Sequence, residues 1–341
     1  MSERDFEQVF ISHDIEITGN GPFQVVFPTA QELAEKKKQA QEYKELGFIF
    51  QQENEDRPRT LDYSVTRYKG VDKPWLVLAM LHGWTSNKMS MIDQTKQLVA
   101  KMSEMSEQDQ EILRHVWFVQ VNAPFKMTSE ETGMEKEDED DIRLEQRFWW
   151  HIDGAQILDR FVNNEISKIF QEPLQGIDIS MVYLRAVMNK IRDDVGNEAS
   201  FAFLGFSQGG GMAFNASLFL LEDDFNQCGL LICSGLIANV DECRKRVIQH
   251  RRHWTLDPND EIPMMWDRFI YMPVFQSHGK RDPTLVTEIG DGFYLFLKDE
   301  VKLKRVHYSL FDGYHEITDE VRDKIIKHLL SMHRYHCNEP V

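Results

Sequence analysis

Cysteine is scarce in this sequence. Four thiols, Cys228, Cys233, Cys243 and Cys337, stand in 341 residues, with neither paired C-x-x-C spacing nor the regular framework of a small secreted domain. They read as free thiols in a reducing compartment. Long apolar runs are missing too: no segment approaches about eighteen consecutive apolar residues, and the N-terminus MSERDFEQVF has no continuous apolar stretch. The expectation is a cytoplasmic chain without stable membrane insertion. Net positive charge is also absent. At −17 the chain has the wrong sign to attract nucleic acid or an anionic membrane surface, so neither is an expected partner. Nor is there an internal repeat, or a low-complexity tract apart from one acidic run.

What is present is a globular composition, 42% hydrophobic, enough to bury a substantial core without disulfide staples. Charge is unevenly spread. Residues 130–141 (EETGMEKEDEDD) are strongly acidic and residues 244–253 (RKRVIQHRRH) strongly basic. Solvated surface is the plain reading of each block. The sharper reading has the basic block, or Lys126, binding an acidic leaving group, or the basic block pairing with the acidic one across a site entrance.

Residues 1–70 combine strand-like pieces (VFISHDIEI, PFQVVF, LDYSVTRY) with a polar helix candidate, QELAEKKKQAQEYKEL, and read as an N-terminal extension packing on or preceding the core. Residues 71–341 read as the main domain. In it, apolar runs of strand length alternate with helix-length amphipathic segments: WLVLAMLHG, VWFVQVNAP, SFAFLGFS, GLLICSGL, YMPVFQSHG and RVHYSLFDG, with a final helix from about 316 to 333. Strands separated by helices imply crossover connections and a mostly parallel sheet covered on both faces, the α/β class. Ligands of such sheets sit outside the carboxyl ends of the strands. Those ends hold, in chain order, Ser207, Asp282 and His315.

Gly205-Phe206-Ser207-Gln208-Gly209 fits G-x-S-x-G between an apolar strand and a helix, the setting in which a sharp turn lifts a serine hydroxyl above the sheet. Alone, the pentapeptide reads equally well as a glycine-rich packing turn. The three glycines at 209–211 weaken a helix start by roughly 1 kcal/mol each relative to alanine, so local stability yields there to another requirement. A serine hydroxyl needs a histidine to take its proton, and that imidazole needs a carboxylate to hold its tautomer. His315 directly follows the last strand. Asp282, in SHGKRDP one strand earlier, is the better acid. Asp312 lies only three residues before the histidine, and Asp257 falls in a polar insertion. An oxyanion hole would take the amide of Gln208 and one from the loop His82-Gly83-Trp84, where Gly83 admits close backbone approach and Trp84 is the expected donor.

The ordered motifs LHGWTSN, VNAP, FWWHID, GFSQGGGMA, HGKRDPTLV and GYHEI resemble those of the phospholipase/carboxylesterase family, which includes the acyl-protein thioesterases, over roughly residues 72–335. The resemblance implies the α/β-hydrolase fold. By position it implies Ser207 as nucleophile, Asp282 and His315 as acid and base, and the amides of Trp84 and Gln208 as oxyanion donors. It also implies hydrolysis of a small-molecule ester or an acylated protein through an acyl-enzyme, without metal or organic cofactor. A peptidase or amidase on the same fold, or a binding protein that keeps the scaffold, are the alternatives. Relative to that family the chain has the N-terminal extension and insertions at about 128–147, 155–178 and 239–270, and Gly313-Tyr314 before the histidine departs from the usual context. Phe125, Trp149 and Trp150, with Phe148 and Trp84, are candidates to line an acyl channel, against which stands ordinary packing of large aromatics.

Overall fold

The central apolar runs alternate between two cores. In Leu76–Leu81, Leu76, Leu78 and Met80 belong to one buried cluster and Val77, Ala79 and Leu81 to the other. Phe201 and Phe203 alternate with Ala202 and Leu204 in the same way. Both faces of these strands are covered, which is why the sequence shows continuous apolar runs and no polar alternation. The computed structural model describes residues 5–14, 16–18, 24–26, 60–127, 145–152, 174–223, 225–256 and 263–337.

The strands of the main sheet are β1 (Phe6–Asp14), β2 (Thr60–Tyr68), β3 (Leu76–Leu81), β4 (Val116–Val121), β5 (Ser200–Phe206), β6 (Gln227–Cys233), β7 (Val274–Gly279) and β8 (Val306–Phe311). Their order is β1-β2-β4-β3-β5-β6-β7-β8. From β4 to β8 all neighbours run parallel, while β1–β2 and β2–β4 are antiparallel. This is the mostly parallel, doubly covered sheet that the alternating pattern predicts, in the α/β-hydrolase fold that the family resemblance implies. Helices α1 (Lys88–Met102), α2 (Glu107–Arg114) and α8 (Asp319–His336) pack on one face; α3 (Ile177–Val195), α4 (Gln208–Phe219), α5 (Val240–Leu256), α6 (Pro263–Tyr271) and α7 (Thr287–Leu295) supply the other. Polar side chains close the helix starts: Asn87 accepts from the Met89 amide and Thr318 from that of Val321.

Two stretches of the N-terminal extension, residues 6–14 and 60–68, are strands of the main sheet. Their attachment is polar as well as apolar. Buried Gln120 on β4 accepts from Ser64 Oγ at 2.9 Å and Gln8 Nε2 at 3.2 Å, and donates to Thr66 Oγ1 and Thr95 Oγ1 at 3.0 and 2.9 Å. One amide thus fixes the register of β1, β2 and α1 against β4. The predicted helix at 31–46, the acidic run at 130–141, Asp257 and most of the predicted insertions at 128–147 and 155–178 lie outside the described residues. The third insertion, 239–270, contains α5 and α6. There the basic block is engaged locally: Arg244 forks onto Glu300 at 2.6 and 2.9 Å, Arg246 and Lys245 face Glu242, and Arg251 reaches the Glu300 carbonyl. Lys126 faces Glu145 at 3.5 Å.

Beneath the loops that follow β3 and β4 lies a buried ion pair. Lys88 is 3% exposed and its ammonium donates to Asp62 on β2, whose other carboxylate oxygen accepts from Asn122 Nδ2 at 2.6 Å. Asn122 Oδ1 in turn accepts from the Lys88 amide at 2.6 Å, and the Asp62 backbone amide donates to Tyr183 Oη at 2.9 Å. A buried ammonium without its carboxylate carries an uncompensated desolvation cost. Asp62→Ala is expected to lower unfolding free energy by about 3 kcal/mol, read as a fall in the urea midpoint, with Lys88→Met/Asp62→Leu recovering most of it.

Candidate active site

The turn between β5 and α4 has no room for side chains at its glycines. A Cβ on Gly205 would stand 2.0 Å from the Gly209 carbonyl oxygen, and one on Gly209 would stand 2.2 Å from that of Leu81. Substitution at either position forces the backbone of β3, β5 and α4 apart. The turn is pinned further by hydrogen bonds from the Ser207 amide to Cys233 O and from the Gly210 amide to Ser207 O, both 2.9 Å. Under these restraints Ser207 takes φ 55° and ψ −120°. A non-glycine residue at positive φ costs on the order of 1–3 kcal/mol and persists only where surrounding structure imposes it. Ser207 caps the N-terminus of α4, where the first backbone N–H groups lack intrahelical acceptors and the helix end favours negative charge.

The loop after β3 lies against this serine, since a Cβ on Gly83 would be 3.2 Å from Ser207 Cβ. His82 holds that loop from within. The ring is fully buried; Nδ1 is 2.8 Å from Gly83 O, which can only accept, and Nε2 accepts from the Ala123 amide at 3.0 Å. These partners require neutral imidazole with its proton on Nδ1. Burial, with the Arg147 cation adding to it, outweighs the pull of Gly83 O and Asp62 and brings the His82 pKa down to about 4. Trp84, the expected oxyanion donor, follows with its side chain 43% exposed.

The two remaining predicted residues follow β7 and β8, at the same end of the sheet as Ser207. Asp282, in the loop after β7, has a fully buried side chain; its Oδ2 accepts from His315 Nδ1 at 2.6 Å, and its Oδ1 accepts from the amides of Thr284 and Leu285 at 2.9 and 2.8 Å. Burial alone would raise its pKa, but the hydrogen bonds from His315 and the two amides hold it below the ordinary carboxylate value. The other acid considered, Asp312, is 78% exposed and faces Arg281. The His315 ring lies 4.8 Å, centroid to centroid, from that of Phe206, the residue before Ser207. The Ser207 hydroxyl makes no hydrogen bond among the described residues. Catalytic hydrogen bonds are commonly loose before substrate binds.

Gln208 follows the serine with its side chain turned away from the site. Its Oε1 accepts from the Trp149 amide and its Nε2 donates to Trp150 O, at 2.8 and 2.9 Å. That anchors the FWW segment to the start of α4 and leaves the Gln208 backbone amide at the helix end. The three aromatics predicted to line a channel are packed instead of open. Trp149 and Trp150 are 0% and 1% exposed, Trp149 donates Nε1–H to His82 O, and Phe125 stacks on Phe148 at 5.3 Å. Large apolar surface near the serine and histidine is exposed only at Trp84 and Tyr314, among the described residues. The sequence reading missed the interior places of His82, His278 and Lys88, which are tied to Ala123, Leu285 and Asp62. For His278 the signal was its place four residues before Asp282 in SHGKRDP.

Among the described residues no cluster of histidine, cysteine and acidic side chains is arranged to hold a metal ion, and no helix is long and apolar enough to cross a membrane. The cysteines are free; burial pushes the thiols of Cys228, Cys233 and Cys243 up to about 12, and Cys337 is exposed.

The family model for serine hydrolase (FSH1) matches residues 75–251. The chain belongs to the FSH1 serine hydrolase family. The matched stretch contains Trp84, Ser207 and Gln208 and ends before Asp282 and His315, which the fold brings to the same sheet end. No curated protein sequence matches the chain. Among solved structures, acyl-protein thioesterase 2 of Zea mays is 15% identical, with 79% of this chain and 98% of that one covered at a TM-score of 0.54. Esterase PE8 is 17% identical, over 77% and 95% of the two chains at a TM-score of 0.50. At these identities the likeness establishes the shared α/β-hydrolase fold.

Protonation of His82 would place a second proton where the Ala123 amide already points. With a folded value near 4 against an unfolded one near 6.5, the unfolded chain binds more protons between those limits. Stability is therefore complete above about pH 6.5 and falls by roughly 3 kcal/mol on acidification to about pH 4. Unfolding free energies measured across this window should show a shallower slope in His82→Gln than in the unaltered protein; equal slopes would assign the loss to other groups.

Proposed function

We propose that this serine hydrolase cleaves carboxylic esters or thioesters through an acyl-enzyme on Ser207. The observation that supports the reading is a histidine whose Nδ1 is held at 2.6 Å by a buried carboxylate and whose ring packs on Phe206, the residue before a strained, helix-capping serine. In the first step His315 Nε2 accepts the Ser207 proton as Oγ attacks the acyl carbon. Asp282, kept ionised by its hydrogen bonds, stabilises the imidazolium and fixes the ring. The carbonyl oxygen gains negative charge under the backbone amides of Gln208 and Trp84, at the positive end of α4. Collapse expels the alcohol or thiol, which takes the proton from His315. Water, deprotonated by the same nitrogen, then releases the acid and restores Ser207.

The role of Phe125, Trp149 and Trp150 in this reading is to shape the site from beneath, by fixing the segment on which Gln208 rests. Direct contact with the acyl or leaving group falls to Trp84 and Tyr314, whose rings are exposed at 43% and 54%. Residues 71–341 would form the catalytic domain, with β1 and β2 of the extension completing its sheet. The esterase and thioesterase among the structural neighbours set the first substrates to try, short- and long-chain esters and acyl thioesters beside anilides.

A fluorophosphonate probe should label the unaltered protein and not Ser207→Ala. Hydrolysis of the best substrate should fall by about 10⁴-fold in Asp282→Asn and by up to roughly 10⁶-fold in Ser207→Ala or His315→Ala. A well-folded protein that neither labels nor hydrolyses any of the panel would overturn the reading.

A further inference from the structure

Two histidines face Asp282, and only one of them is His315. His278, at the end of β7, is fully buried, and its Nε2 is 3.6 Å from Asp282 Oδ2, the oxygen that accepts from His315. The same nitrogen is 2.6 Å from the Leu285 carbonyl oxygen. A carbonyl and a carboxylate both only accept, so Nε2 carries a proton and His278 is a donor at this end. Its Nδ1 is sealed in the interior with no partner among the described residues; it lies beside Gly290, where a Cβ would meet it at 2.6 Å and the Tyr308 hydroxyl at 2.9 Å. Tyr308 itself donates to Asp291. Nothing in this setting lets His278 exchange a proton with substrate.

We propose that His278 is a positioning residue for the acid of the triad, acting through the loop 282–285. The chain of restraint is continuous. Leu285 donates its amide to Asp282 Oδ1 at 2.8 Å while its carbonyl accepts from His278, so one peptide segment is gripped from both sides and cannot swing without breaking two hydrogen bonds. The His278 ring edge also stands 3.6 Å from Asp282 Oδ2, too far for a hydrogen bond but close enough to limit where that oxygen can move. The carboxylate is held by the His315 N–H on Oδ2 and by two amides on Oδ1, and His278, by fixing Leu285, keeps one of those amides in place and so sets the direction of the Oδ2 to His315 bond. A buried nitrogen left without a partner carries an uncompensated desolvation cost. Leucine or phenylalanine would fill the space without that cost and without donating to Leu285.

This inference rests on Ser207, Asp282 and His315 acting together as proposed above. The test compares His278→Ala, His278→Phe and His278→Gln, the last able to place an amide N–H where Nε2 stands. All are checked for native folding by circular dichroism and urea midpoint. Expected is a fall of roughly 10- to 100-fold in kcat with KM unchanged for Ala and Phe, the scale of misplacing one catalytic group, matched by slower fluorophosphonate labelling. Gln should regain most of the rate. If Phe is well folded and keeps full kcat, or if Gln is as slow as Phe, the positioning role is wrong. Labelling of the unaltered protein separates the two ideas: its absence defeats the serine hydrolase mechanism, whereas its presence with unaffected His278 variants defeats only the role of His278.

Discussion

Everything at this site depends on the backbone crossing at Gly205, Gly209 and Leu81. Main-chain atoms of β5, the first turn of α4 and the end of β3 meet there at distances that exclude a single Cβ. The closeness has two consequences. It leaves Ser207 no conformation but one of positive φ, so the hydroxyl is carried at the rim of the sheet, and it draws the Gly83 loop against that serine. Strain at one residue is thus the local cost of aligning three strand ends. The sheet can sustain it because β3 and β5 are in register up to Leu81 and Gly205, and β5 and β6 up to Phe206 and Cys233.

A second set of constraints keeps the loops from relaxing that crossing. The loop after β3 is held by His82 and by the Asn87 cap, and its first helical residue, Lys88, is tied to β2 through Asp62. The segment Trp149–Trp150 is tied to α4 through the Gln208 side chain. The ties of His82 to Ala123, Lys88 to Asp62 and Gln208 to Trp149 and Trp150 are polar contacts between parts of the chain far apart in sequence. Such contacts are expensive to leave unpaired, and for that reason they admit few alternative arrangements. The N-terminal strands therefore do more than widen the sheet: Asp62 on β2 neutralises a charge directly under the loop that carries Trp84.

Much of the architecture is legible in the sequence because doubly covered strands announce themselves as apolar runs, and the residues after those runs necessarily gather at one end of a parallel sheet. The candidates Ser207, Asp282 and His315 are read from such strand ends, and the preference for Asp282 over Asp312 rests on their places in the loops. What escapes a linear reading is pairing at a distance. Nothing in LDYSVTRY says that Asp62 will meet Lys88, and nothing in FWW distinguishes a packed tryptophan from a channel wall. For the basic block 244–253, solvated surface and pairing with the acidic run are both open in the sequence, and its described arginines are engaged by Glu242 and Glu300. Helical spacing accounts for the first of these contacts and only the tertiary fold for the second.

Three histidines sit at strand ends around the serine, and the surroundings of their second nitrogen decide what each can do. In His82 both nitrogens are committed to backbone partners, and the ring stays neutral to low pH. In His278 one nitrogen donates inward and the other is enclosed. In His315 Nδ1 is taken by Asp282, and Nε2 has no hydrogen-bond partner among the described residues on a side chain that is 17% exposed. A proton can be collected from Ser207 and passed to a leaving group only at a nitrogen that is both basic and reachable. Of the three rings only that of His315 offers a reachable nitrogen without a hydrogen-bond partner among the described residues, whereas those of His82 and His278 are fully buried.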